Sequence, residues 1–370
     1  MRHSLIDKEH NMEFPFNKNA GYYYKSSKEL FLPVEILSHI EGFLFQLGRH
    51  KYIFRNLETS LNNGCSQTLA HNKYCTNKLL EHAGVPVPKA TWIEKDKFKQ
   101  GQLETIIADL TFPLVAKPNY GTMGLDVICN IPDLEELKTQ LRRLSTKTDW
   151  MSIEEFHGGL NSYRILTLNQ QIIGVIQRYA AHVVGDGEHT LTELINLANA
   201  IRKQANNELA PIVIDDECRF RLKELGMTPF SIPERNERVV LCYTCNASRG
   251  GSYKAIPIDM CKQNKNLFLK VASLLNLNIA GIDVECVDLH TPIENGSGVI
   301  IEVNPNPSVR IHEAPQSGKP NPVTKKIIRS IIVRHPLAYL YVLYKNKRTA
   351  MYVRSLLAMP FLIGFYSYLN

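Results

Sequence analysis

Three polar residues in the second half of the chain sit inside apolar runs. Asp283 interrupts IAGIDVECV, Glu302 interrupts GVIIEVNPN, and Asn304 follows Glu302 by two positions. Short apolar runs of this kind read as buried strands. Residues two apart on a strand share a face, so Glu302 and Asn304 point the same way. If the two strands are neighbours, a spacing of about 4.8 Å lets both carboxylates meet one cation. Two carboxylates, an amide oxygen and open water positions make a hard oxygen site suited to Mg2+ bridging nucleotide phosphates. Taken singly, each acid is better explained as a solvated strand end or an arginine partner.

Lys117 ends the run FPLVAK, just ahead of Pro118 and a loop containing Gly121 and Gly124. A lysine leaving a buried strand toward glycine-bearing backbone can contact phosphate, because glycine lets backbone N–H groups approach closely. The loop lacks the Gly-Lys-Ser/Thr of a Walker A motif. Alone, Lys117 reads better as a surface lysine with a buried stem.

The elements that must hold these groups follow from periodicity. Thr76 is placed to cap a helix that Gly84, Pro86 and Pro88 stop. FPLVAK and the stretch near Val127 read as strands, and Asp133 caps a helix carrying Leu134, Leu137, Leu141 and Leu144. Residues 151–156 are strand-like. Two apolar runs around Asn169-Gln170-Gln171 form a hairpin signal. Thr190 with Glu193 makes a capping box. Residues 203–236 read as a polar excursion carrying 220–225, followed by a helix through Leu267, Val271 and Leu274 and another near 324–333. Strands packed on helices with much antiparallel pairing give an α+β, or mixed α/β, fold.

The chain has 370 residues, enough for two or three subdomains. Hydrophobic residues at 44% and charged residues at 21% are ordinary for a globular protein. The net charge of +7 contains no run of five or six like charges, so nucleic acid is not an expected partner. A modest positive field suits anionic small molecules. The start MRHSLIDKEH lacks an apolar signal stretch, and eight scattered cysteines lack a disulfide spacing, so the expected setting is the cytoplasm. Cys242 and Cys245 form a CxxC, but no second ligand pair accompanies it, and two small half-buried strand residues explain it better.

The order of these signals resembles the ATP-grasp superfamily: Asn72-Lys73 at a helix start, a strand lysine with a glycine loop, Glu154-Glu155-Phe156, then Asp283 and Glu302-Val303-Asn304. HVVGDGEHTLTELI with Arg178 before it, NASRGG at 246–251 and EVNPNPSVRIH at 302–312 are similar to the ATP-grasp part of cyanophycin synthetases and of bifunctional glutathione synthetases. The resemblance covers roughly residues 60–334 and implies two α+β subdomains clasping ATP. It divides the chain into an N-terminal region 1–70, a lid subdomain and hinge 71–157, a large subdomain 158–334 with the metal site, and an apolar, basic tail 335–370. It further implies that Lys73, Lys117, Gly121 and Gly124 hold phosphates, and that Glu154, Glu155 and Phe156 form the adenine hinge. Asp283, Glu302 and Asn304 would carry Mg2+, with Mn2+ as the alternative ion. Arg164, Arg178, Asn246 and Arg310 would act on the reacting groups, and Arg249, Gly250, Gly251 and His312 would line the substrate side.

The sequence departs from that pattern at several points. Asp126 replaces the last glycine of the phosphate loop and Leu125 the basic residue before it. Ser162 stands where an acid is usual, and Cys242 where an arginine is usual, with Arg249 positioned to restore that charge. The implied activity is ATP-driven coupling of a carboxylate to an amine through an acyl phosphate, on amino acids or small peptides. An ATP-grasp kinase and a non-catalytic nucleotide-binding module are the alternatives. The tail run SLLAMPFLIGFYSYL is short of the roughly 20 residues a spanning helix needs. Packing on the body or on a second copy, or peripheral membrane contact, would each use it.

Overall fold

The computed structural model describes residues 16–121, 124–205, 209–294 and 296–369. Its contacts divide the chain into two compact units. The first comprises residues 1–61, 308–314 and 320–370, and the second comprises residues 62–307 and 315–319. These lines run differently from those read in the sequence: residues 62–70 go with the second unit, and the tail shares a unit with the N-terminal region.

In the first unit, β1 (Val34–Leu37), β2 (Gly42–Leu47), β3 (His50–Arg55) and β4 (Glu58–Thr59) form an antiparallel meander. Phe43, Phe45 and Leu47 alternate inward along β2 and are buried, as strand period requires. Phe43 stacks on Phe54 at 5.0 Å and Tyr23 meets Phe54 at 4.8 Å, tying the helix Lys18–Glu29 to the sheet. That helix also meets the helix Val323–Val333, where the Ser26 and Thr324 hydroxyls lie 2.8 Å apart.

The second unit holds two larger sheets. Strands β5 (Ala90–Glu94), β6 (Leu114–Pro118), β7 (Ile128–Ile131) and β8 (Trp150–Glu155) pair antiparallel in the order β5-β8-β6-β7. The helix Leu134–Leu144 covers this sheet, with Leu137, Leu141 and Leu144 buried and Asp133 capping it through Glu136 N at 2.9 Å. The other sheet uses β9 (Asn161–Leu168), β10 (Gln171–Tyr179), β13 (Ser252–Ile256), β14 (Ile279–Cys286), β15 (Gly298–Asn304) and β16 (Ser317–Gly318), in the order β15-β14-β9-β10-β13-β16. Only β13 and β16 run parallel within it. Asn169 and Gln170 make the β9–β10 turn with φ of 45° and 62°, the left-handed pair that a two-residue hairpin needs. Phe268, Val271, Ile282, Val284 and Ile300 belong to the core on this sheet. Thr190 and Glu193 form the expected box, with Glu193 Oε2 accepting from Thr190 N at 2.8 Å.

Two expectations are corrected. Asn72, not Thr76, caps the helix Lys73–His82: its Oδ1 accepts from Cys75 N at 3.0 Å while its backbone is extended. Thr76 lies buried inside the helix, its hydroxyl donating to Leu69 O. The polar stretch 203–236 is also more than an excursion. Within and beside it, Ile212, Cys218 and Leu222 share a small core with Val183, Leu191 and Val239, around the helix Asp216–Glu224 and the pair β11 (His182–Val184) and β12 (Arg238–Val240).

Candidate active site

The register of β14 with β15 sets Asp283 directly opposite Glu302 and Gly281 opposite Asn304. Directly opposed residues share a sheet face. On the other side of β14, Arg164 of β9 stands opposite Asp283, so Arg164, Asp283 and Glu302 form a row across three strands. Asn62 staples this corner, donating through Nδ2 to Ile279 O at 2.8 Å and to Pro305 O at 2.7 Å.

Asp283 is not an open carboxylate. Its Oδ1 accepts from Arg164 Nε, and its Oδ2 accepts from Arg164 Nη2 at 2.8 Å and from Arg178 Nη1 at 2.9 Å. Burial alone would raise its pKa, but Arg164 and Arg178 outweigh that and hold it below the ordinary carboxylate value. Gly281 makes room for this pair, since a Cβ there would come within 3.1 Å of Arg164 Cδ. Glu302 differs: no hydrogen bond or ion pair joins its carboxylate to a described residue. Asn304 Nδ2 donates to Gly281 O at 3.4 Å, which leaves its amide oxygen uncommitted.

Lys117 and Glu154 form a buried ion pair at 2.7 Å, with Ser152 Oγ donating to the other Glu154 oxygen at 3.2 Å. Burial opposes the Lys117 charge, yet Glu154 overrides it and holds the ammonium above its usual value. Lys73 Nζ donates to Gly121 O at 2.7 Å. Burial, with Glu302 and Glu154 opposing and the Lys117 charge adding, holds Lys73 below its usual value. These mutual influences put Lys73, Lys117, Glu154 and Glu302 in one electrostatic neighbourhood between the two sheets of the second unit.

Other expected residues have their groups engaged. Glu155 N donates to Lys89 O and Phe156 N to Pro113 O, both at 2.9 Å, so neither hinge N–H is open to a base. The Glu155 carboxylate accepts from Thr111 N at 2.9 Å, and the Phe156 ring packs edge-on against Tyr243 at 4.9 Å. Asn246 caps the turn Ala247–Arg249 by accepting from Ser248 N at 3.0 Å. Gly250 has φ +83°, and a Cβ there would fall 2.6 Å from Ile212 Cγ1, so packing as well as backbone demands glycine. At Gly251 a Cβ would meet Asn246 O at 2.6 Å.

Arg249, expected to restore the charge lost at Cys242 and to line the substrate side, lies half-buried and paired with Asp215 and Glu217, and its Nη1 donates to Gly124 O at 2.7 Å. It therefore ties the glycine loop to the larger sheet's side. Asp126, in the usual glycine position, adopts φ +58° and gives its carboxylate to Lys147, with Arg143 at 3.7 Å. Arg310 and His312 lie in the first unit, on the short helix Arg310–Glu313. There Arg310 N donates to Asn19 Oδ1 at 3.1 Å and His312 is buried. Cys242 and Cys245 are free thiols; burial pushes them up to about 12 and about 11. No group of three or more His, Cys, Asp or Glu fit for a metal exists among the described residues.

Sequence reasoning misses two acids. Glu217 accepts from Tyr243 N and Thr244 N, both at 2.9 Å, and anchors Arg249; no local pattern announces it. Glu285 follows Asp283 by two on β14, opposite Ser162 on β9, and has no hydrogen-bond partner among the described residues. Burial, with Asp283 adding and Arg178 opposing, pushes it up to about 7. The period-two spacing in IDVEC is the signal that could have found it.

The donors at this site suit a divalent ion: Glu302 uncommitted, Asn304 with a spare amide oxygen, and Asp283 available once its arginines let go. Lys117 of β6 and Lys73 at the start of the helix Lys73–His82 supply positive charge to the same neighbourhood. Paired antiparallel sheets with this arrangement define an ATP-grasp fold. Residues 70–217 match the RimK-like ATP-grasp domain family, and the chain carries such a domain. The sequence is 34% identical over 256 residues to cyanophycin synthetase from Crocosphaera subtropica, covering 68% of this chain and 29% of that protein. It is 30% identical over 308 residues to the glutathione biosynthesis bifunctional protein GshAB from Enterococcus faecalis, covering 80% of this chain and 40% of that one. The chain thus spans well under half the length of these relatives. The fold is shared with a bifunctional glutathione synthetase from Pasteurella multocida, at a TM-score of 0.58 and 23% identity, over 86% of this chain and 44% of that one.

Proposed function

We propose that this chain is an ADP-forming ligase that uses ATP and Mg2+ to join a carboxylate to an amine, on amino acids or small peptides. The observation that carries this reading is the opposed pair Asp283 and Glu302, with Glu302 uncommitted and Lys73 and Lys117 in its field. Asp283, Glu302 and Asn304 would hold the ion, which supplies neutralisation of phosphate charge during transfer. Mn2+ would fit the same oxygens. Lys73 and Lys117 would bind the triphosphate. A substrate carboxylate oxygen attacks the terminal phosphorus and ADP leaves; the amine then attacks the acyl carbon, loses a proton, and inorganic phosphate departs. Arg164 and Arg178 are the donors at hand for the oxyanion of the second step. In this reading a mobile subdomain over residues 117–150 excludes water from the acyl phosphate. Eight free cysteines fit a reducing, cytoplasmic setting.

The test is incubation with ATP, Mg2+ and pairs of amino acids, following phosphate release and product mass. The expected result is ADP, phosphate and an amide in equal amounts, with turnover requiring the amine. A phosphorylated acid formed without amine would instead identify a kinase. Nucleotide binding with no ADP from any pair would identify a binding module.

A further inference from the structure

The charge of this chain is unevenly spread. After Glu313 it carries nine Lys and Arg and no Asp or Glu, so the whole positive excess lies there. Within that stretch the helix Pro336–Lys345 exposes Leu337, Leu340, Tyr341 and Tyr344, an apolar stripe at i, i+3, i+4 and i+7. The next helix, Ala350–Leu369, is apolar around its whole circumference. Leu356, Leu357, Phe361, Leu362 and Ile363 are all exposed, and at 3.6 residues per turn they point to every side. Phe361 is 81% exposed and Leu356 70%, so the expectation that this run packs on the body is not met. A helix without a polar face is stable only inside protein or lipid.

The basic residues mark one end of this apolar body. Lys345, Lys347 and Arg348 lie in and just after the first helix and are exposed, and Arg354 lies one turn into the second. The Arg354 guanidinium sits over the Tyr344 ring at 4.7 Å and Lys345 Nζ over Tyr341 at 5.7 Å. Tyrosine rings with Lys and Arg are the residues that settle at headgroup level, the ring half in the apolar phase and the charge on phosphate. No described helix is long and apolar enough to cross a membrane. We propose that the helix pair 336–369 docks on an anionic lipid surface, its apolar second helix entering the acyl layer and Lys345, Lys347, Arg348 and Arg354 binding phosphate headgroups.

The test is co-sedimentation of the full chain with vesicles of phosphatidylcholine, alone and mixed with phosphatidylglycerol. Capture by the mixed vesicles, weakened at about 1 M salt where the Debye length is about 3 Å, is expected. Lys345→Ala/Lys347→Ala/Arg348→Ala should lower the partition coefficient on the order of a hundredfold, about fivefold per charge. Leu356→Glu/Phe361→Glu, which changes only exposed side chains, should abolish capture with the thermal unfolding midpoint unchanged. Should that double variant fail to fold, the charge variant decides alone. Equal capture by neutral vesicles, or none by either, overturns the proposal. So does a vesicle-indifferent dimer, seen by analytical ultracentrifugation, that Leu356→Glu/Phe361→Glu dissolves, since the helices would then serve a second copy of the chain.

Discussion

Glu302 faces Asp283 across one strand pair, yet only Asp283 is spoken for: two guanidiniums hold it, and no described residue holds Glu302. The two acids therefore answer differently to neutral replacements. Asp283→Asn leaves Arg164 and Arg178 buried without their counter-charge, a loss of about 3–5 kcal/mol. Glu302→Gln breaks no hydrogen bond or ion pair with a described residue and should change stability by about 0.5 kcal/mol or less. If Glu302 binds the ion, that same variant should lower Mg2+-dependent ADP formation by at least about 100-fold. Urea unfolding alongside an ADP assay separates the two roles. A Glu302→Gln protein with full turnover would remove the metal assignment.

Lys117 and Glu154 form a pair that neither can leave. Both side chains are nearly inaccessible to water, so Lys117→Met strands a buried carboxylate and Glu154→Gln strands a buried ammonium. Each should cost about 3–5 kcal/mol, while Lys117→Met/Glu154→Leu should cost well under their sum. The double variant keeps the fold and loses the cation, so its defect should appear in the KM for ATP. A double variant as unstable as the summed singles would show that the pair is not what holds these residues.

Much of this site is legible in the residue pattern alone. Asp283, Glu302 and the Lys117 strand announce themselves because period two and apolar flanks act over a few residues. What stays hidden depends on contacts between distant segments. The pairing of Arg249 stays hidden because Asp215 and Glu217, over thirty positions earlier, are invisible to local pattern. The Asp283 guanidinium clamp requires β9 to lie beside β14, a neighbour relation across more than a hundred positions. Thr76 and Asn72 are equally good caps by residue type, and only the extended backbone at Asn72 decides between them. The small core around Ile212 and Leu222 escapes periodicity because its apolar residues are thinly spaced among charges.

Arg249 connects Gly124 to two acids, which makes it a positioning residue for the glycine loop. Arg249→Ala should leave Glu217 partly uncompensated and destabilise the protein by about 2–4 kcal/mol. Freed from its tie, the loop should bind ATP more weakly, so KM for ATP rises more than kcat falls. Arg249→Lys can keep one acid but not the carbonyl and both acids together, so it should fall between the two. Unchanged KM and stability in Arg249→Ala would mean that the loop needs no such tie.

The thiols separate by burial. Cys65 and Cys75 are exposed, whereas Cys218 and Cys242 are buried and Cys245 is partly covered. Burial pushes Cys218 and Cys242 up to about 12 and Cys245 to about 11. Only the thiolate reacts, and at pH 8 a thiol of pKa about 11 is ionised to roughly one part in a thousand. Iodoacetamide at pH 8 should therefore modify Cys65 and Cys75 in the folded protein and leave the Cys242-Cys245 pair untouched until urea is added. The same shifts carry a sign for stability. An unfolded thiol ionises near its ordinary value of 9.0 while these folded ones cannot, so the unfolded state sheds protons first and stability falls as pH rises above about 9. Replacing Cys218 and Cys242 by alanine should flatten that alkaline fall, at the expense of about 1–2 kcal/mol of packing near pH 7. Peptide mapping by mass spectrometry reads the labelling, and rapid modification of Cys242 or Cys245 in the folded chain would show that the segment after β12 opens to solvent and that the pair is available for redox chemistry after all.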